Sequence, residues 1–314
     1  MQLKDTKMKI AVIGCGAMGS IYAALLADAG NTVLVVDPWV EHIDAINLNG
    51  LHVEGASGDR IVRVEGFTKI PMREVDLIVV AVKAAHVKSI AHQLAGLMGA
   101  STNVLTIQNG VGSADILAEH IDADRLCIGI AKAFGAVMRG PAHTYHNSMN
   151  DIRIGAYAGL PMSKINEIVT VWSNAGFNAN PVADVLAMQW EKLICNVAYS
   201  APCALTGMTV GQLMSDQDMG PVSRAAAMEA WTVARALGIA VDVDDPIRLV
   251  REFAAGMPEA RPSLLQDYEA GRLSEIDVIN GAVPKAAAKV ALSAPVNATL
   301  VALIKQKERA FNHT

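Results

Sequence analysis

The feature that most constrains this chain is a glycine loop between a short apolar run and a helical pattern. Gly14, Gly16 and Gly19 form a GxGxxG motif directly after the run Lys9–Ile13. In that context the first glycine allows a tight turn, the second lets the backbone approach a pyrophosphate, and the third lets helix and strand pack closely. A helix N-terminus also attracts phosphate through its N–H groups and its dipole. The motif predicts dinucleotide binding by Gly14, Cys15, Gly16, Ala17, Met18 and Gly19.

Further apolar runs in the first half indicate strands. The runs Thr32–Val36, 77–82 and 104–107 are almost continuously apolar rather than alternating. Such runs are typical of parallel strands that helices cover on both faces. We therefore predict an α/β fold whose first domain is a Rossmann-type, doubly wound parallel sheet.

The second half has a different composition. From residue 183 onward Ala, Leu and Met dominate, and helical windows such as 222–237 and 297–309 are separated by Gly and Pro. We predict that the stretch 176–184 joins the two halves. The sequence thus predicts a dinucleotide-binding domain over residues 8–183 and an all-helical, substrate-binding domain over 184–314.

Composition excludes several classes of partner. Lys and Arg number 26 against 31 Asp and Glu, a net charge of −5 that gives no electrostatic footprint for nucleic acid. The charge-free stretch 193–215 contains too many polar and helix-breaking residues for a membrane span. The N-terminus is polar and lacks the apolar region of a signal peptide, so we expect a cytoplasmic protein. The apolar helical domain is compatible with a homodimer.

The sequence shows no metal-binding pattern. The four cysteines have no CxxC spacing, which argues against a disulfide framework and against a zinc site. The histidines at 86, 92, 143 and 146 do not have metal-ligand spacing. We therefore expect no metal.

Asp37 is the residue that should select the dinucleotide. It lies 23 positions after Gly14, at the end of the second predicted strand, close to the spacing of an acid that binds the ribose 2′-OH. A carboxylate there repels a 2′-phosphate, and residues 38–41 contain no cation to bind one. The sequence favours NAD(H), with NADP(H) second. The alternative is that Asp37 is only a turn residue or helix cap before Pro38.

Lys192 and Asn196 are candidates for the chemistry. They lie four residues apart in a helical pattern and so project from one face. A carbonyl that accepts a hydride develops negative charge on oxygen, and an ammonium can donate to it a hydrogen bond and then a proton. A neutral amide nearby would hold the substrate without adding charge. The alternative is a solvated lysine on a helix surface.

A second polar cluster interrupts the helical half. It comprises residues 261–267, 275–277 and 280–281. By pattern alone it is either a site or a set of caps and loops: Ser263 has the character of an N-cap, and Glu275 could begin the next helix.

Together these motifs resemble the 2-dehydropantoate 2-reductase (ketopantoate reductase) family. The resemblance spans residues 9–308 and rests on several motifs in the right order. They are the glycine loop, Lys83, Gln108-Asn109-Gly110, Trp190-x-Lys192-Leu193-x-x-Asn196, Arg261-Pro262-Ser263 with Gln266-Asp267, Glu275-Ile276-Asp277 with Asn280-Gly281, and Ala294-Pro295-Val296-Asn297.

The resemblance implies a Rossmann domain followed by a helical domain like that of 6-phosphogluconate dehydrogenase, with substrate and nicotinamide in the cleft between them. Members reduce a branched 2-oxo acid to the 2-hydroxy acid on the pantothenate pathway. Carried over by motif, Lys192 is the proton donor and Glu275 acts beside it on the cofactor side. The implied substrate contacts are Asn196, Ser200 and Ser263, and the implied cofactor contacts include Lys83, Asn109, Ala136 and Glu275.

Three departures keep the substrate and cofactor open. Ser200 stands where the family helix usually carries a second Asn, and Val210 stands where a further substrate amide is expected. Asp37 replaces the basic residue of members that use NADPH. Ketopantoate remains the leading substrate, and the main alternative is an NAD-dependent dehydrogenase of another hydroxy acid in a catabolic route. A more distant alternative is a non-catalytic, NAD-responsive binding protein.

Overall fold

The computed structural model describes residues 7–313. Residues 1–6, on which part of the cytoplasmic expectation rests, lie outside the described residues. The chain divides into two compact units, the first comprising residues up to Gln108 together with Ser113–Val185. The second comprises Asn109–Gly112 and the residues from Leu186 onward. The division after Val185 lies two residues beyond the boundary predicted from the sequence, and the segment Asn109–Gly112 groups with the second unit.

The first unit contains all twelve strands of the described residues. They are β1 Lys9–Ile13, β2 Thr32–Val36, β3 Leu51–Gly55, β4 Arg60–Val62, β5 Glu65–Phe67, β6 Val75–Val80, β7 Met98–Thr106, β8 Leu126–Lys132, β9 Gly135–Gly140, β10 His143–Ser148, β11 Asp151–Ala156 and β12 Asn178–Pro181. Eight of them form one sheet in the order β12-β11-β8-β7-β6-β1-β2-β5. The pairs from β5 to β8 are parallel, whereas β11 runs antiparallel to β8.

The eight-stranded sheet is doubly wound, as the sequence predicts. Alternate residues of β1 enter two different apolar clusters: Ile10 and Val12 belong to one, and Ala11 and Ile13 to the other. All four are essentially inaccessible to solvent. Both faces of the sheet are therefore covered, which explains why these strands are continuously apolar rather than alternating. The stretch predicted as the joint contains β12, an edge strand parallel to β11.

Five helices accompany the strands of the first unit in the described chain. They are α1 Ala17–Asp28, α2 Val40–Asn49, α3 Ala84–Ala91, α4 Ser113–Ala118 and α5 Met162–Asn174, with 3₁₀ turns at His92–Leu97 and Ala123–Arg125. A second sheet, which the sequence patterns did not predict, has the order β4-β3-β10-β9. It packs against α1, the helix that follows the glycine loop.

The second unit is helical, as predicted. Its helices are α6 Val185–Thr206, α7 Val210–Ser215, α8 Met219–Ala236, α9 Pro246–Gly256, α10 Ser263–Glu269, α11 Ala282–Ala288 and α12 Pro295–Glu308, followed by a 3₁₀ turn at Arg309–His313. The predicted windows 222–237 and 297–309 correspond to α8 and α12. Over residues 7–313, no helix combines the length and apolar character needed to cross a bilayer.

A proline inside α6 requires compensation from α8. Pro202 has no N–H and cannot donate to the carbonyl of Ala198, one helical turn earlier. The hydroxyl of Ser223, which is completely buried, donates to that carbonyl at 2.7 Å. The carbonyl that Pro202 leaves without a donor in α6, the helix that carries Lys192, is thus hydrogen-bonded by α8.

Candidate active site

The glycine loop has the geometry that its three glycines predict. Gly14 has φ +92°, and a Cβ added there would lie 2.6 Å from the backbone nitrogen of Val82. A Cβ on Gly19 would lie 1.8 Å from the carbonyl oxygen of Gly14, so helix and loop pack too closely for any side chain. A Cβ on Gly16, by contrast, would meet nothing within 4 Å. The loop is tight on the protein side and open at its middle glycine.

These residues fit a dinucleotide pyrophosphate. Helix α1 begins at Ala17, and Gly16 occupies its N-cap position with no side-chain cap among the described residues. The N-terminal N–H groups and the dipole of the helix are therefore directed to the open side at Gly16. The side chain of Cys15 is fully buried, and burial raises the pKa of its thiol to about 12.

Asp37 is bound to the glycine loop. Its Oδ2 accepts a hydrogen bond from the backbone N–H of Cys15 at 2.9 Å, and its Oδ1 accepts one from the N–H of Trp39 at 3.0 Å. The second bond is the turn role left open by the sequence, and the first ties the carboxylate to the loop that would hold the pyrophosphate. Asp37 therefore has the turn role, and its carboxylate lies at the end of β2 beside the glycine loop.

His42 is a neighbour of this carboxylate that the motifs did not indicate. It is buried in α2, its Nδ1 accepts from the backbone N–H of Ala142 at 2.9 Å, and its ring stacks on Trp39 with centroids 5.1 Å apart. Burial lowers the pKa of His42, although the charge of Asp37 opposes this shift. A single buried histidine in an amphipathic helix carries no distinctive signal in the sequence.

The remaining cofactor candidates of the first unit differ in position. Lys83 is exposed at the N-cap of α3, just after β6. Ala136 is half-buried in β9 of the four-stranded sheet, opposite His146, and packs against the apolar core around α1.

Gln108 was part of the resemblance without an assigned role. Its Nε2 donates to the carbonyls of Val80 and Val82, at 2.6 Å and 3.2 Å, and so ties the end of β7 to the end of β6.

In the second unit the structure brings three predicted residues together. Lys192 Nζ donates to Asn109 Oδ1 at 3.1 Å, and Asn109 Nδ2 lies 3.5 Å from Glu275 Oε2, at the limit of a hydrogen bond. The amide orientation follows from its neighbours, since an ammonium can only donate and a carboxylate accepts. Asn109, which the resemblance assigns to the cofactor, is thus hydrogen-bonded to the lysine.

The segment that carries Asn109 is anchored by its backbone. Gly110 has φ +79°, and a Cβ there would lie 2.1 Å from the carbonyl oxygen of Val278. Val111 N–H donates to that same oxygen at 3.0 Å, and Gln189 Nε2 donates to the carbonyl of Gly110 at 2.9 Å. Gln189 lies three residues before Lys192 on α6. The same helix therefore holds the segment and presents the ammonium.

The predicted substrate contacts are not equally accessible. Asn196 lies one helical turn after Lys192 on α6 and is half-buried. Ser200 lies one turn further along and is buried, with 4% of its surface exposed. Ser263 is exposed at the first residue of α10, whose N-cap is Pro262, so Ser263 is not the N-cap suggested as its alternative role.

The turn at Glu275 does not begin a helix. The backbone N–H groups of Val278 and Ile279 both donate to the carbonyl of Glu275, at 3.1 Å and 3.2 Å. The next helix, α11, begins only at Ala282. The suggestion that Glu275 starts a helix is therefore wrong, and its half-buried side chain lies beside Asn109.

Comparison with known proteins identifies the family. The family model described as "Ketopantoate reductase PanE/ApbA" matches residues 10–159, and its C-terminal counterpart matches residues 184–308. The chain belongs to the ketopantoate reductase family. A 2-dehydropantoate 2-reductase of Pyrococcus abyssi is 32% identical over 307 residues, covering 96% of this chain and 98% of the relative. One from Streptococcus pyogenes serotype M1 is 26% identical over 313 residues, covering 97% and 99%.

Solved structures of the family and of a related enzyme share the fold. A PanE/ApbA family ketopantoate reductase from Ralstonia eutropha JMP134 is 30% identical with a TM-score of 0.87, covering 98% of this chain and all of the other. A D-mandelate dehydrogenase, solved with NADH and anilino(oxo)acetate, is 25% identical with a TM-score of 0.87, covering 97% and 99%. This member of the ketopantoate reductase family is therefore an oxidoreductase of CH–OH groups that uses a nicotinamide cofactor.

Proposed function

We propose that this protein interconverts a 2-oxo acid and its 2-hydroxy acid, and that its foremost reaction is the reduction of 2-dehydropantoate to pantoate with NADH. The observation that carries the proposal is the hydrogen bond from Lys192 Nζ to Asn109 Oδ1 at 3.1 Å, beside Glu275. It places an oriented ammonium on the helix that also carries Asn196. The names of the relatives support the choice of substrate.

The chemistry assigns a distinct task to each residue. NADH, which the glycine loop and Asp37 would hold, would supply the hydride that the carbonyl carbon of the substrate accepts. Lys192 donates a hydrogen bond to the carbonyl oxygen and then transfers its proton as negative charge develops there. Asn109 orients Nζ through a neutral oxygen, so it adds no charge that would hold the proton back. Glu275 fixes the amide of Asn109 in the required orientation.

The role of Lys192 is tested by Lys192→Ala. We expect turnover to fall by about 10²–10⁴-fold, the range for loss of a general acid, while NADH binding is retained. Lys164→Ala is the matched control, because Lys164 is an exposed lysine paired with Glu167 on α5. Near-normal turnover of Lys192→Ala would remove this residue from the mechanism.

We propose NAD(H) as the cofactor on the evidence of Asp37. Its charge stands where a 2′-phosphate would lie, and its hydrogen bond with Cys15 fixes it to the glycine loop. Asp37→Asn keeps the size and an acceptor oxygen but removes the charge. The ratio of kcat/KM for NADH to that for NADPH should fall in this variant by about tenfold or more, since each tenfold is about 1.4 kcal/mol. An unchanged ratio would contradict the assignment.

A second candidate reaction is NAD⁺-dependent oxidation of a different, aromatic 2-hydroxy acid. Ser200, buried on α6, is shorter than the Asn expected from the resemblance, and the D-mandelate dehydrogenase structure supports an aromatic substrate. Pantoate and mandelate with NAD⁺, and their 2-oxo acids with NADH, separate the two reactions by kcat/KM. Turnover of any of these acids excludes the non-catalytic binding protein. A cytoplasmic location and a homodimer remain predictions from the sequence.

A further inference from the structure

The outward face of the four-stranded sheet brings two histidines together from distant parts of the chain. Strands β3 and β10 are parallel neighbours, and their register places His52 opposite His143. The two imidazole rings stack with centroids 4.2 Å apart and planes 10° from parallel. His143 has no metal-ligand spacing in the sequence because its partner strand is β3, far earlier in the chain.

Two carboxylates complete this cluster. Glu54 lies two residues after His52 on the same face of β3, and its Oε1 is 3.1 Å from His143 Nε2. Asp59 Oδ1 is 2.8 Å from His52 Nε2. One ligand atom each from His52, Glu54 and His143 lies within 4.8 Å of the other two. The donors are thus two imidazoles and one carboxylate on the adjacent strands β3 and β10, with the carboxylate of Asp59 in the connection between β3 and β4.

Burial shows that these side chains face outward on a fixed backbone. The side chains of His52, Glu54 and His143 are 30–35% exposed. The neighbouring residues Val53 and Thr144, which point to the opposite face, are completely buried. The cluster is therefore open to an ion from solvent, while the strands that carry it are fixed by the core around α1.

We propose that His52, Glu54 and His143, with Asp59 as fourth ligand, bind a divalent transition metal, for which Zn²⁺ is the reference ion. Imidazole and carboxylate are the donors that suit Zn²⁺, which takes four of them at about 2.0–2.2 Å. Ligand atoms in such a site are closer than 4.8 Å, and partly exposed side chains can rotate to close the gap. The paired strands β3 and β10 hold the backbones of His52, Glu54 and His143 at a fixed distance while their side chains rotate.

The ion would act on the structure of the first unit. It would join β3 to β10, whose ligands Glu54 and His143 are 89 positions apart in the chain. Such a link crosses the sheet that packs on α1, the helix with the cofactor loop at its N-terminus. Metal binding should therefore raise the midpoint of thermal unfolding, because an ion that binds only the folded state stabilises it.

The test is calorimetric titration of metal-free protein with Zn²⁺. We expect one ion per chain with a Kd of micromolar order. His52→Ala and His143→Ala should each weaken the Kd by tenfold or more and remove the thermal shift. His86→Ala, which removes an exposed histidine on α3, is the matched control and should change neither. All four cysteines are buried in the folded protein, so exposed thiols do not compete for the ion.

Zinc-edge X-ray absorption on the wild-type protein gives a second measurement that needs no variant. Two imidazole ligands with oxygen donors in the first coordination shell would support the site. Three results would each overturn the proposal. They are a first coordination shell without two imidazole ligands, an unchanged Kd in the His52→Ala, His143→Ala double variant, and no saturable binding up to about 0.1 mM Zn²⁺.

Discussion

Gly110→Ala is the sharpest test of how the candidate site is held together. Gly110 has φ +79°, and its added Cβ would lie 2.1 Å from the carbonyl oxygen of Val278. The same carbonyl oxygen of Val278 accepts a hydrogen bond from the N–H of Val111. Neither backbone segment can therefore move away from the other without breaking this hydrogen bond. The methyl group should push the segment that carries Asn109 away from the turn that carries Glu275.

The size of the displacement follows from the contact distance. Real Cβ atoms essentially never approach other atoms within 3.0 Å, so the two backbones must separate by about 0.9 Å. Asn109 directly precedes Gly110, and a shift of this size breaks its bond to Lys192 Nζ. Misplacement of a catalytic group by about 1 Å costs on the order of 10²-fold in rate, or about 2.7 kcal/mol of barrier. We expect kcat to fall by that factor.

Gly112→Ala is the matched control. Gly112 also has positive φ, +105°, but its added Cβ would meet nothing within 4 Å. In both variants the left-handed backbone conformation of a non-glycine residue costs about 1–2 kcal/mol. Only Gly110→Ala adds a steric clash. Steady-state kinetics with NADH and the preferred 2-oxo acid, together with thermal unfolding, measure the difference. Equal kcat values for the two variants would refute the positioning role of this segment.

A double-mutant cycle separates positioning from general damage. If Gly110→Ala acts by displacing Asn109, then adding Asn109→Ala should lower kcat little further, because the interaction has already been lost. If the two substitutions multiply in their effects on kcat, Gly110 acts by another route and the proposed link to Lys192 is wrong.

Two further predictions concern stability. Ser223→Ala should lower the free energy of unfolding, measured in urea, by about 1–3 kcal/mol, because it leaves the buried carbonyl of Ala198 unpaired. This loss should be smaller in a Pro202→Ala background, because that substitution restores an N–H donor to the carbonyl. The second prediction concerns His42, whose pKa is lowered by burial, so that the unfolded chain binds the proton more readily than the folded chain. The contribution of His42 to the free energy of unfolding is therefore complete above about pH 6.5 and is lost as pH falls below that value. Urea midpoints at about pH 7.5 and about pH 5.5 should differ less in His42→Asn than in the wild type, and an equal difference would contradict the prediction.

Continuous apolar runs were enough to predict β1, β2, β6 and β7 of the large sheet, because strands covered on both faces have no other pattern. They did not predict β5, β8, β11 and β12, and β11 runs antiparallel to β8. The four-stranded sheet was missed for the converse reason. Strand β10, His143–Ser148, consists of polar and aromatic residues around buried Thr144 and His146, and its partner β3 lies far earlier in the chain. Local periodicity cannot show which distant segment will pair with such a strand.

In the site, the helix was predicted and the contacts were not. The four-residue spacing of Lys192 and Asn196 follows from helical geometry alone. The pairing of Lys192 with Asn109 joins residues 83 positions apart, and it depends on Gly110 fitting against Val278. The sequence contains that glycine, but only the backbone shows why a Cβ is excluded there.

The motif residues Asn280 and Asn297 illustrate why a resemblance must be resolved residue by residue. Both are completely buried, and Asn280 Nδ2 donates to Asn297 Oδ1 at 2.9 Å and to the carbonyl of Val197 on α6 at 3.0 Å. Asn297 in turn donates from its side chain to Glu229 on α8, which also caps the first N–H groups of α12. Buried polar groups with several partners fix the relative positions of the helices they join. These two asparagines therefore hold α6, and with it Lys192, in register with α8 and α12, so their replacement by Ala should reduce stability before it affects substrate binding.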